Sequence, residues 1–460
     1  MKKFLILFYL TLAFVACKKD KKQPAPTPTP DPLKTTDLSV WANDKVTINP
    51  EIFGVNNDWK TITNTNFPAF ANNLKLMNYK LMRYPGGWES EYYDWNNNTT
   101  PGWDKTPDSP GASVASLKAN VDSYSIVVPT VKAMNEQVFS TNWWSAVSSL
   151  KNTAVNAINK ADPSKVKIVE IGNEWFLQWG GGVSRADKLT KYAKIAMNIA
   201  EYIDQQFPNR TFKLLVNGDY TVPSEFADMK NAFTKSYNSI DGVALHTYTG
   251  YTTDDHNIKD LAARIKDCAN NFNPAKNYVY CSEWIPSRAY NDGKLYMEAA
   301  NIIPDIIHIY ARSGVNAAAY WPPANNSIPG LGLFNPGQTA TYPCAQIMGE
   351  LSKSYTGEAL KTTSSDIHIS ATLNDNNTIT LFVTGSNQPA SDVSIKINDF
   401  AVGSIQSVTK LRPSDYYKTD DSKPYLTENA SATLDQANNK INFTINKAGK
   451  YEIFKIVLKK

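Results

Sequence analysis

Between Ile52 and Trp321 the chain alternates short runs of β-branched and aromatic residues with longer stretches whose apolar side chains recur every three or four positions. A period of two marks a strand and a period near 3.6 marks a helix. Eight strands are predicted on this basis: Ile52 to Asn56, Lys80 to Tyr84, Gln137 to Asn142, Val166 to Ile171, Phe212 to Val216, Gly242 to His246, Tyr278 to Ser282 and Ala317 to Trp321. The clearest helix lies between the fourth and fifth of them. Ser184 and Asp187 give it a capping-box-like start, Leu189, Tyr192, Ala196, Ile199 and Ile203 share one face, and Pro208 follows its end. Before the eighth strand, Ile306, Ile307 and Tyr310 lead to a C-capping Gly314. Pro304 predicts a kink or a later start there.

Strand and helix in strict alternation specify a parallel sheet. Eight such units fit within residues 51–353, and no glycine-rich phosphate loop follows the first strand, so the α/β pattern predicts a closed (β/α)8 TIM barrel rather than an open dinucleotide-binding sheet. Beyond Ser354 the helical period vanishes. Alternating runs such as Thr378 to Val383 and Lys440 to Ile445, separated by Asn and Asp clusters, predict a C-terminal antiparallel β-sandwich over 354–460. Asp37 to Ile48 reads as a hairpin, and residues 35–50 are a candidate addition to that sandwich.

Composition adds an address and removes some function classes. The 460 residues, 42% hydrophobic and 12% aromatic, can bury a large core, and a net charge of +4 without a basic stripe excludes a nucleic-acid footprint. Lys2 and Lys3 precede the apolar run Phe4 to Val15, which is too short to span a membrane and has the layout of a secretory signal. The leader ends Phe14-Val15-Ala16-Cys17 and resembles a lipoprotein signal over 1–16, which implies lipidation at Cys17 and an outer-membrane anchor on an exported envelope protein. Lysines and a proline-rich spacer, together 17–34, would hold the folded body off the membrane. Cys268, Cys281 and Cys344 lack metal-ligand spacing; Cys268 and Cys281 are either a disulfide or buried thiols.

Two of the predicted strands lead into a glutamate followed by tryptophan, Glu174-Trp175 after the fourth and Glu283-Trp284 after the seventh. In a parallel barrel both carboxyls then face one mouth. Two carboxyls on opposite sides of a sugar are the equipment for cleaving a glycosidic bond. About 5 Å apart they resist ionising together, so one retains a proton for the leaving group while the other attacks.

The pair, with Asn173 before the first glutamate, resembles clan A retaining glycoside hydrolases. That resemblance implies Glu174 as acid/base, Glu283 as nucleophile and Asn173 as a ligand of the hydroxyl beside the anomeric carbon. Arg83-Tyr84-Pro85-Gly86-Gly87 followed by Tyr93-Asp94-Trp95, then Gly172-Asn173-Glu174 with Gly180 to Gly182, His246-Thr247-Tyr248 and Ser282-Glu283-Trp284, is similar to the family 51 α-L-arabinofuranosidases. It implies that Arg83 contacts Glu283 and keeps it ionised and that Tyr248 hydrogen-bonds it. The chain departs from the pattern in two places: Asp58 stands where the family has a substrate-binding glutamate, and Asn96 to Gly102 replaces a glycine-rich segment.

Trp59, Trp88, Trp143, Trp144, Trp175, Trp284 and Trp321 fall at or just past predicted strand ends, with Trp179 further along a loop. Indoles stack on the C–H faces of sugars, which makes Trp88, Trp175, Trp284 and Trp321, with Asn142 and His246, candidate substrate contacts. His246, His256, His308 and His368 lack ligand spacing, so neither a metal nor another cofactor is expected. The chain thus reads as a glycosidase acting on plant or algal polysaccharide or its oligosaccharides, arabinofuranosidase first. The alternatives are an endo-glycanase, a β-xylosidase-like enzyme, or an inactive surface glycan-binding lipoprotein.

Overall fold

The computed structural model describes residues 33–101, 111–177, 183–233, 237–252, 254–286, 296–324, 329–363, 367–385, 391–415, 422–445 and 451–460. The leader, Cys17, Trp179 and Gly180 to Gly182 lie outside them. A first strand, β1 (Lys34–Thr47), precedes eight parallel strands that close on themselves: β2 (Gly54–Asn56), β3 (Leu81–Tyr84), β4 (Tyr124–Val128), β5 (Val166–Ile171), β6 (Lys213–Gly218), β7 (Gly242–Tyr248), β8 (Tyr278–Ile285) and β9 (Ala317–Tyr320). The fold is a TIM barrel. Nine further strands follow: β10 (Glu358–Thr362), β11 (His368–Leu373), β12 (Thr378–Thr384), β13 (Ser391–Asn398), β14 (Ser404–Arg412), β15 (Leu426–Asn429), β16 (Thr433–Asp435), β17 (Lys440–Ile445) and β18 (Ile453–Lys459).

Seven of the eight barrel strands fall where the apolar runs predict them. The third does not. Gln137 to Asn142 has strand-like composition, but the Ser140 hydroxyl accepts the Trp143 N–H at 3.0 Å and caps the helix Thr141–Ala161. The strand is instead Tyr124–Val128, buried along its whole length. Asn142 therefore sits exposed in the first turn of a helix, Trp143 packs into the core, and Trp144 is 48% exposed. None of the three lies at a strand end.

The two predicted helices form. Arg185–Gln206 starts at a Ser184 that accepts the Asp187 N–H and donates to its carboxylate, and Leu189, Tyr192, Ala196, Ile199 and Ile203 are all buried. Tyr296–Arg312 runs through Pro304 rather than starting after it, and Gly314 follows at φ +72°. Nearly every side chain of this second helix is buried, because it lies between the barrel and the C-terminal sheet: Ser370 donates to Pro304 O at 3.0 Å, and Arg312 reaches Asp44 at 2.7 Å.

The last strands form one ten-stranded sheet, ordered β15-β14-β18-β12-β11-β10-β1-β13-β17-β16. Side chains from β1, β12, β13, β17 and β18 share one apolar cluster, so the sheet curls around its own core. It is mixed: β1 runs antiparallel to β10 but parallel to β13. The expected Asp37 to Ile48 hairpin is one long strand with a bulge between Trp41 and Lys45, and it lies between β10 and β13 in the C-terminal sheet. Cys268, Cys281 and Cys344 are free and buried.

Candidate active site

Six strands carry an inward side chain that is apolar or small near the barrel floor and polar two residues later. The lower layer is Gly54, Leu81, Ile168, Leu215, Ala244 and Tyr280; the upper is Asn56, Arg83, Glu170, Asn217, His246 and Ser282. Each step of two returns to the same face of the strand, so the upper residues form a ring over a dry plug. Among the described residues no helix is long and apolar enough to cross a membrane.

Arg83, fully buried, organises the ring. Its Nε donates to Glu170 at 2.7 Å, Nη1 to Glu283 at 2.6 Å and to Asn56 at 3.1 Å, and Nη2 to Asn173 Oδ1 at 2.8 Å. Glu170 also accepts from Asn217 at 2.8 Å and from Ser282 at 3.0 Å. Tyr248 donates to the other oxygen of Glu283 at 2.5 Å.

Glu283 lies within β8, not just beyond it. Strict alternation from Tyr280 would turn Ser282 and Trp284 inward and Glu283 out. Pairing shifts register on both flanks, between Ala244 and His246 on one side and between Cys281 and Trp284 on the other, and this bulge lets Ser282 and Glu283 both reach the ring. Trp284 is thereby turned out of the mouth. It is fully buried and packs edge-on to Tyr310 and Tyr320.

Glu174 arrives by a different device. Gly172 at φ +78° turns the chain off β5, where an added Cβ would lie 2.9 Å from the Thr130 hydroxyl oxygen, and Glu174 itself is held at φ +45°. Its N–H donates to Asn217 Oδ1 at 2.8 Å, and its carboxylate meets His246 Nδ1 at 2.9 Å. Oxygens of Glu174 and Glu283 and a nitrogen of His246 all lie within 4.8 Å of one another. Donors of these types could hold a metal ion, a grouping that sequence spacing does not reveal because it draws on three strands. Here Glu283 is already engaged by Arg83 and Tyr248.

Burial opposes charge on Glu170, but Arg83 and His246 outweigh it and hold the carboxyl at about 2. For His246 burial likewise opposes charge, and Glu283, Glu174 and Glu170 raise the imidazole to about 10. A folded value above the unfolded one of about 6.5 stabilises the protein fully below that pH and loses its contribution as pH rises toward 10. The denaturation midpoint of the wild type should therefore fall between pH 7 and 10 more than that of His246→Gln. Parallel profiles would remove His246 from the network.

The remaining candidates divide. Asp58 follows β2 and is buried, with Oδ2 lacking a hydrogen-bond partner and burial raising the carboxyl to about 6. Trp88 is half-buried, and Trp321 is 5% exposed with its ring against Gly87. Trp175 has no exposed surface; it stacks on Tyr192 and donates to Asn217 O at 2.9 Å. Trp175 and Trp284 thus support the site rather than meet a ligand, and Trp59 is buried against Gly111. Asn142, on a helix, has no contact with the ring.

Asn56, Glu170, Asn217 and Ser282 belong to the ring but are not among the candidates the sequence offers. The signal was present for Glu170: a carboxylate in the centre of Val-Lys-Ile-Val-Glu-Ile must be paired once buried.

No protein-family model and no curated protein sequence matches the chain. Solved structures do match its fold. A family 51 arabinofuranosidase from Xanthomonas axonopodis pv. citri aligns at TM-score 0.66 and 12% identity, over 93% of this chain and 100% of the other. A family 51 α-L-arabinofuranosidase from Bifidobacterium longum aligns at 0.65 and 13%, over 92% and 99%. A family 44 xyloglucanase from Paenibacillus polymyxa aligns at 0.61 and 13%, over 93% and 100%. The barrel with its appended curled sheet is the architecture of these glycoside hydrolases.

Proposed function

We propose that the protein is a retaining glycoside hydrolase. The observation that carries this reading is the approach of Glu174 and Glu283 oxygens to within 4.8 Å, from different strands, at the open end of the barrel. So short a separation leaves no room for a water between carboxylate and sugar, which favours double displacement over inversion. Glu283, placed by Arg83 and Tyr248, attacks the anomeric carbon. The bond to the leaving oxygen breaks as Glu174 gives that oxygen its proton, and a glycosyl ester of Glu283 remains. Water then attacks the same carbon, giving its proton to Glu174 and releasing Glu283. With Oδ1 taken by Arg83, Asn173 meets the neighbouring sugar hydroxyl through its amide N–H.

The substrate proposed first is an α-L-arabinofuranoside of plant or algal polysaccharide, as the Arg83 to Gly87 and Tyr93 to Trp95 segments suggest. An endo-glycanase is the second reading, favoured by the equally extensive alignment with the family 44 xyloglucanase. Proton NMR of the first product released from 4-nitrophenyl α-L-arabinofuranoside tests both parts. We expect the α-anomer to appear first. The β-anomer would contradict double displacement, while turnover confined to xylan or glucan fragments would move the substrate to the second reading.

A further inference from the structure

Resting on the reading of Glu174 as proton donor, we propose that Glu91 is the positioning residue of the acid/base: a buried carboxylate that ties the ends of β4 and β5 together and fixes the backbone from which Glu174 projects. Glu91 closes the short 3-10 turn Trp88–Glu91 after Gly86 and Gly87. Both glycines have positive φ, and a Cβ on Gly86 would lie 1.9 Å from Asn57 O, so this tight turn is what carries the chain across the mouth. There the Glu91 side chain disappears from solvent, with the residue 2% exposed.

Four donors converge on it. Oε2 accepts the N–H groups of Thr130 at 2.6 Å and Val131 at 2.8 Å, while Oε1 accepts the Thr130 hydroxyl at 3.1 Å and the Asn173 N–H. Among the described residues no ion pair engages Glu91, so a buried carboxylate is spent entirely on backbone and hydroxyl donors of two strand ends. Burial pushes it up to about 7 even though the same donors pull it down. A group this costly to bury marks a demand on geometry.

The demand is visible one residue on. Asn173 N–H is held by Glu91 and Glu174 N–H by Asn217, in a segment where Gly172 and Glu174 both have positive φ. Arg83 fixes the Asn173 side chain from the other direction. Successive amide anchors on opposite sides leave the Glu174 Cα–Cβ direction little freedom. Releasing the first lets the segment relax, and a shift of about 1 Å in a proton donor can lower a rate ~10²-fold.

Replacing the carboxylate by an amide of the same shape points an NH2 at one of these donors. The test compares kcat/KM of Glu91→Gln and wild type on phenyl and 2,4-dinitrophenyl α-L-arabinofuranosides, with Glu174→Ala as reference. Phenol needs protonation to leave and dinitrophenol does not, so a fault in proton donation appears on the first substrate alone. We expect Glu91→Gln to lose ~30-fold on the phenyl glycoside and under about threefold on the dinitrophenyl one. Should Glu91→Gln not fold, Thr130→Val, which removes one donor and keeps the shape, is expected to lose about threefold on the phenyl substrate only. Equal losses on both substrates, or none, overturn the proposal while Glu174→Ala still discriminates between them. If Glu174→Ala does not discriminate, the reading of the site fails first and the role of Glu91 falls with it; if the wild type cleaves neither glycoside, the substrate reading fails instead, and the same comparison on phenyl and 2,4-dinitrophenyl glycosides of the sugar it does cleave decides the role of Glu91.

Discussion

Glu283→Ala is expected to lower kcat by on the order of 10⁴-fold or more while leaving sugar binding within a few-fold of wild type. Its carboxylate is the group that Arg83 and Tyr248 grip from either side, at 2.6 and 2.5 Å, and no other carboxyl could take its place without repacking the ring. Glu170 points at the opposite edge of Arg83 and is enclosed by Asn217 and Ser282. Kinetics on aryl glycosides and calorimetric binding of an oligosaccharide, measured on the same preparation, separate a hydrolase from a surface glycan-binding protein. A wild type that binds sugar and never turns it over would establish the second, and undiminished turnover in Glu283→Ala would remove this residue from the chemistry.

Arg83→Met should cost both stability and activity. Methionine roughly fills the volume but leaves Glu170 and Glu283 with only the His246 imidazolium as counter-charge. Breaking a buried ion pair from one side typically destabilises by about 3–5 kcal/mol. Turnover should drop roughly 10³-fold or more, since Glu283, the proposed nucleophile, and Asn173 both lose their hold on Arg83. Adding Glu170→Gln to Arg83→Met removes one stranded charge and is expected to recover part of the stability and none of the turnover. Denaturant midpoints beside kcat/KM for the two proteins decide the matter. Recovery of turnover in the double variant would mean that Arg83 acts only by neutralising Glu170, and no loss of stability in the single variant would mean that the ring is not held by charge.

The arrangement also accounts for the indoles. An aromatic residue after a glutamate at a barrel mouth is easily read as a sugar platform, and Trp175 and Trp284 carry that expectation. Both are buried, one stacked on Tyr192 beside the Gly172 turn that carries Glu174 and the other packed against Tyr310 and Tyr320 behind β8. They give their neighbouring glutamates a rigid base. Among the described residues, Trp88, half-buried beside Gly87, keeps indole surface near the mouth, whereas Trp321, 5% exposed, has little left to offer.

Local pattern located seven of the eight barrel strands as apolar runs, and it set Arg83, Asn173, Glu174 and Glu283 near their C-terminal ends, although Glu283 falls within β8 rather than beyond it. A β-rich stretch at Gln137 to Asn142 misled that reading, since the capping hydroxyl of Ser140 outweighs strand composition and only the whole chain shows Tyr124–Val128 closing the gap. What the tertiary structure decided was direction. The bulge in β8 reverses the facing of Glu283 and Trp284, and the positive-φ turn at Gly172 aims Glu174; neither follows from a period of two, because both depend on register with neighbouring strands. The partners of Arg83 are likewise a tertiary fact: Asn56, Glu170 and Glu283 lie on three separate strands and Asn173 just past the end of β5, and only the closed barrel brings them to one guanidinium.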